Sequence, residues 1–139
     1  MPQQNDTTIP PVPVALLLCD QIIVDELGKK KSLIGLFDRI WVGTFPTTHS
    51  PCALYFRGAD AEGHFDILVQ YVQSEGETTL GEVKGSLDRQ ERGPIEFLIT
   101  FPPIPIPNEG RYEFRLYVNG VYVHRVQFTA VQRLPQQNA

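Results

Sequence analysis

The sequence predicts an all-β fold: an antiparallel β-sandwich, immunoglobulin-like or fibronectin-like, of about seven to nine strands and without a disulfide framework. Three observations predict it. Short apolar runs recur along the 139 residues, separated by glycine, proline and acidic turn residues. No stretch holds an apolar pattern with the helical period of 3.6 residues. Near the C-terminal end, Tyr112, Phe114, Leu116 and Val118 alternate strictly with Arg111, Glu113, Arg115 and Tyr117, the period-two signature of a strand with one buried face.

The elements follow in chain order. Residues 1–13 are polar and proline-rich and read as a flexible arm; residues 14–133 form the domain, and residues 134–139 a second flexible tail. The apolar runs are 14–24, 32–42, 52–58, 64–73, 79–87, 94–101, 111–119 and 121–132. Ala61-Glu62-Gly63, Ser74-Glu75-Gly76-Glu77 and Arg92-Gly93-Pro94 read as turns between them. Gly81 and Gly85, isolated inside a weak strand, suggest bulges or a close backbone approach. Phe101-Pro102-Pro103-Ile104-Pro105-Ile106-Pro107 is stiff and extended. It could be a ligand for an aromatic groove, or a crossover with both isoleucines packed inward. Asn119-Gly120 suits a two-residue type I′ turn, whose central residues both need positive φ. The return strand then places Tyr122, His124, Val126, Phe128 and Ala130 on the core side.

Upstream of that turn, Asn108, Gly110, Tyr112 and Phe114 have the spacing of a tyrosine corner, with phenylalanine where an immunoglobulin domain has cysteine. Two N-terminal runs are apolar on both faces. In the second, Ile34, Leu36, Ile40 and Val42 oppose Leu33, Phe37, Trp41 and Phe45. A strand apolar on both faces is covered on both. The chain's own proline-rich segments, a phase-flipping bulge or another protein chain could supply the cover.

Composition narrows the function. The net charge is −4 and the one dense basic run is Lys29-Lys30-Lys31, so no nucleic-acid partner is expected. No apolar stretch approaches the ~20 residues that span a bilayer. Ala15-Leu16-Leu17-Leu18-Cys19 has no preceding Lys or Arg and is approached through Pro10, Pro11 and Pro13, unlike a secretion signal. The expectation is therefore a cytoplasmic chain with no membrane partner, and with Cys19 and Cys52 as free, half-buried thiols.

Chemistry-bearing groups are sparse. His49-Ser50-Pro51-Cys52 brings possible nucleophiles near a base, but neighbours in one loop rarely aim at one atom, and no nucleophile-elbow or protease-like signature accompanies them. Asp60, Glu62, His64 and Asp66 alternate as calcium ligands might, yet lack the loop length and terminal glutamate of an EF-hand. Asp20 and Asp38 fall on apolar faces and need a partner, such as Arg39, a lysine or backbone N–H groups. No catalytic, metal-binding or cofactor-binding residue is assigned, and no cofactor is expected.

Ala15-Leu16-Leu17-Leu18-Cys19-Asp20, Asp25, Gly28-Lys29, the run from Ser32 to Trp41, and Gly110-Arg111-Tyr112-Glu113-Phe114 with Val118-Asn119-Gly120 together resemble a bacterial family of small single-domain proteins of unknown function. The resemblance spans roughly residues 14–131. It implies a β-sandwich and a bacterial source, and no activity or ligand. The resulting expectation is a non-catalytic interaction or scaffold domain that self-associates or docks a protein partner through Leu33, Phe37, Trp41 and Phe45. The alternative is a carbohydrate- or small-ligand-binding module using Trp41 or a surface tyrosine as a platform.

Overall fold

A computed structural model describes residues 8–133, and its regular structure is all β. Nine strands are present: β1 (Val12–Val24), β2 (Lys31–Leu36), β3 (Arg39–Val42), β4 (Thr47–His49), β5 (Cys52–Gln73), β6 (Thr78–Phe101), β7 (Ile104–Ile106), β8 (Gly110–Val118) and β9 (Val121–Gln132). One sheet runs β2-β1-β5-β8-β9-β3, with β6 pairing the other edge of β5; β4 and β7 form a separate two-stranded sheet. All pairings are antiparallel except β3 on β9, which is parallel.

The expected arm and tail fall largely outside the described residues. Within them, Ile9 bridges Glu62 and β1 begins at Val12, so residues 9–13 belong to the folded domain. Residues 1–7 and 134–139 lie outside.

The main departure from the sequence reading is the β5–β6 hairpin, whose strands are 22 and 24 residues long. Ala61-Glu62-Gly63 and Arg92-Gly93-Pro94 are not turns between strands. They lie within β5 and β6, where the register shifts at Gly58/Ala61 and Ala61/Gly63. Asp60 and Gly63 have φ of 58° and 121° there. Bulges bend a ladder without ending it.

The bend decides the fold. Phe101 pairs with Cys52, and Gly81 with Tyr71. A straight hairpin at ~3.3 Å per residue would hold these two places about 60 Å apart. Yet the Phe101 ring lies 4.8 Å from Phe114, which itself stacks on Tyr71 at 4.8 Å. The hairpin therefore doubles back, and its two halves face each other across one core. Leu16, Leu18, Leu54 and Phe56 come from one half, and Phe65, Val69, Tyr71 and Phe114 from the other. Within this core Tyr71, Phe101, Tyr112, Phe114 and Phe128 form a cluster of stacked aromatic rings.

The strand β8 alternates as its sequence predicts, with Tyr112, Phe114 and Leu116 fully buried. The turn after it has φ of 50° at Asn119 and 80° at Gly120, as a type I′ turn requires. The Tyr112 hydroxyl donates to the Asn108 carbonyl and accepts from the Asn108 N–H at 3.0 Å, closing the tyrosine corner. Ile104 and Ile106 pack inward as a crossover would place them. Two details differ. A bulge at Leu116/Tyr117 shifts the β8–β9 register, so Tyr122, paired with Tyr117, faces outward and Val123 packs on the core; His124, still paired with Leu116, is nonetheless exposed. Glu113, expected on the wet face, is 2% exposed.

Candidate functional site

The strand β1 pairs with β5 through Val12–Cys19 and with β2 through Cys19–Val24, so Cys19 is shared by both ladders. Beyond it, β1 and β2 form a two-stranded arm. Register alone would set Lys31, opposite Val24, about 30 Å from Glu96, which lies level with Ala15. Instead Lys31 Nζ is 2.6 Å from Glu96 Oε1. The arm thus turns back across the β1–β5–β6 sheet. Cys19 and Ala53, which alternation places on the side of that sheet away from Leu18 and Leu54, are completely buried.

Local chemistry makes the turn possible. Gly35 has a φ of +75°, and a Cβ there would sit 2.5 Å from Asp20 Oδ2. Asp20 thus lies against a backbone that only glycine can supply. Among the described residues neither Arg39 nor a lysine forms an ion pair with it. At the arm's tip, Gly28 N–H donates to the Asp25 carboxylate at 2.6 Å and Lys29 takes a φ of 57°. The anchor is charged: Glu96 accepts from the Tyr55 hydroxyl and lies 3.7 Å from Arg57 Nη1. Hydrogen bonds from Lys31 and Tyr55 hold the Glu96 carboxyl below its ordinary value.

The arm has two unlike faces. Ile22, Lys31 and Leu33 are half-buried. The other face presents Ile23 and Ile34, each 45% exposed, and Leu36, 60% exposed. Leu17, one alternation before Cys19, is also exposed. Ile23, Ile34 and Leu36 form an apolar face of the two-stranded arm, with Leu17 on the neighbouring part of β1.

The four residues singled out by sequence do not share a face. Leu33 lies on β2 and Trp41 on β3, strands at opposite ends of the sheet order. Between them the chain leaves one ladder for the other at Phe37-Asp38, which resets the side-chain phase. Phe37 and Phe45 pack on the core, with the Phe37 ring 5.8 Å from Phe128 and 5.4 Å from His49. Trp41 is 57% exposed, and the Arg39 guanidinium carbon lies 5.8 Å from its ring. Sequence placed Ile34 and Leu36 on the paired face of the same run, so the apolar signal was present but its partition was not.

Other chemistry-bearing groups are dispersed. Cys19 and Cys52 are free and buried. Burial chiefly, with the nearby Cys19 and Asp20, pushes the Cys52 thiol up to about 12, so it stays protonated. Burial likewise pushes His49 down, and its Nε2 has no hydrogen-bond partner among the described residues. The exposed His64 ring lies between Asp88 at 2.7 Å and Asp66 at 3.0 Å, and those hydrogen bonds raise its pKa. Among the described residues, no group of three or more His, Cys, Asp or Glu side chains is arranged to hold a metal ion. No helix among them is long and apolar enough to cross a membrane.

Residues 14–131 match the model of a family of unknown function, DUF6941. No curated protein matches the sequence. Among solved structures, the chain is similar to a Pseudomonas fluorescens alkylpurine DNA glycosylase, AlkC, bound to DNA containing an abasic site analog. The identity is 17% and the TM-score 0.33, over 84% of this chain and 30% of that one. A TM-score that low bears on neither fold nor function.

Proposed function

The chain belongs to the family of unknown function DUF6941, and we propose that it is a non-catalytic interaction or scaffold domain whose docking surface is the outer face of the β1–β2 arm. The observation that carries this reading is the exposure of Ile23, Ile34 and Leu36 on one side of the arm. A contiguous exposed apolar surface is the ordinary mark of a protein-binding site. The charged anchor of Lys31, Glu96, Tyr55 and Arg57 fixes the arm without its needing a partner. The surface is therefore presented rather than formed on binding.

We read the two facing halves and the tyrosine corner as an immunoglobulin-like sandwich. We place the domain in a bacterial cytoplasm, where two buried free thiols remain reduced. The test uses Ile34→Glu combined with Leu36→Glu at native expression level. The wild-type chain should run in a complex well above its 15.7 kDa mass in a native extract. The variant, with unchanged circular dichroism, should lose that complex and run as the chain alone or as its dimer. Equal elution of the two would overturn the reading.

One observation favours a second reading. Trp41 is 57% exposed beside Arg39, an arrangement that could stack a sugar ring. Saccharide titrations that quench or shift Trp41 fluorescence would support it.

A further inference from the structure

The outer edge of β6 makes no strand pairing among the described residues, because β6 pairs only with β5. Its first half is unusual on the inward side. Gly85 stands opposite Ile67 and Gly81 opposite Tyr71, and a Cβ at either glycine would meet nothing within 4 Å. Beside Gly85 a cavity of about 180 Å³ opens between the facing halves, with Ile67, Val83, Leu87, Phe97 and Ile99 in its walls. The outward side carries Glu82, Lys84 and Asp88, all exposed. Lys84 has no ion-pair partner among the described residues, and Asp88 meets His64 through Oδ1 while its Oδ2 has no partner among those residues.

We propose that this edge pairs with the same edge of a second copy of the chain, antiparallel about a two-fold axis at Ser86. In that register two independent features match. Lys84 of each copy faces Asp88 of the other, giving two opposite-charge pairs on the outward side. Leu87 of each copy faces Gly85 of the other on the inward side, where the apolar opening lies. The arrangement is isologous, so each match occurs twice. A register centred on Val83 also joins opposite charges, Glu82 with Lys84, but it sets Gly81 against Gly85 and leaves the opening unfilled. A lysine on a free edge ordinarily discourages pairing. Here its counter-charge lies at the facing position of the same strand, so it selects the partner and the register. This edge is a different surface from the β1–β2 arm.

Sedimentation velocity over a concentration series tests it. The wild-type chain should show a monomer–dimer equilibrium. Lys84→Asp alone and Asp88→Lys alone should each weaken the dimer about tenfold or more, since two attractive pairs become repulsive. The double variant should recover wild-type affinity. Gly85→Val, which has room in the monomer, should abolish the dimer while keeping the wild-type circular dichroism spectrum. A wild-type chain that stays monomeric at high concentration overturns the proposal. So does a dimer insensitive to both charge changes, or one lost with Leu36→Glu but not with Lys84→Asp.

Discussion

Consider Gly35→Ala. The residue has a φ of +75°, a conformation that costs an L-residue roughly 1–2 kcal/mol. The added methyl would also lie 2.5 Å from Asp20 Oδ2, 2.8 Å from Cγ and 3.1 Å from Cβ. Asp20 is held in β1, so relief requires a side-chain rotation or a shift of one strand, and overpacking of this kind costs about 1–3 kcal/mol. The sum is a loss of about 2–5 kcal/mol, a large fraction of a typical domain's stability. Asp20→Ala in the same background removes the two closest contacts but leaves the backbone strain. The pair should therefore couple favourably by about 1 kcal/mol or more. Urea unfolding of the wild type, both single variants and the double variant measures each quantity. Strict additivity, or a loss below about 1 kcal/mol for Gly35→Ala, would refute the contact that shapes the arm.

Two further outcomes follow from buried polar groups. Burial alone would raise the Glu113 carboxyl, but hydrogen bonds from Arg115 at 3.0 Å and Ser74 at 2.8 Å, with Arg125 nearby, hold it below its ordinary value. A carboxyl depressed in the folded state stabilises above its unfolded pKa, and that contribution is lost as pH falls through the lower folded value. Glu113→Gln should thus cost about 1–3 kcal/mol near neutrality and much less in acid, measured by urea unfolding at both. Tyr112→Phe removes the hydroxyl that both donates to and accepts from Asn108. It should cost about 1–3 kcal/mol while leaving the circular dichroism spectrum unchanged; a neutral result would show the corner to be ornamental.

How far the sequence discloses this molecule depends on the range of the interactions concerned. The β8–β9 hairpin is legible because its signals are local: alternation from Tyr112 to Val118, then a turn whose two residues need positive φ. The tyrosine corner is legible for the same reason. The continuity of β5 and β6 is not. Gly63 and Gly93 look like turn residues, and only the pairing of both strands around the bend reveals bulges. Tyr122 changes sides because one bulge inverts the phase at the start of the return strand. Glu113 reads as a surface residue from alternation alone, since its cover comes from Ser74, Arg115 and Arg125 on three different segments. The candidate surface shows the same division. The double apolar character of the run from Ser32 to Val42 marks it as unusual, but Phe37 and Phe45 enter the core while Leu36 and Trp41 remain outside. The change of ladder at Phe37-Asp38, from the β1 pairing to the β9 pairing, separates these groups.

The most direct test of the docking surface is site-specific photocrosslinking in the native cell, with the reactive group placed at Leu36 or, for comparison, at Trp41. Both positions are similarly exposed, at 60% and 57%. Position 36 should give a discrete protein adduct and position 41 none. Adducts from position 41 alone, or equal yields from both, would contradict it.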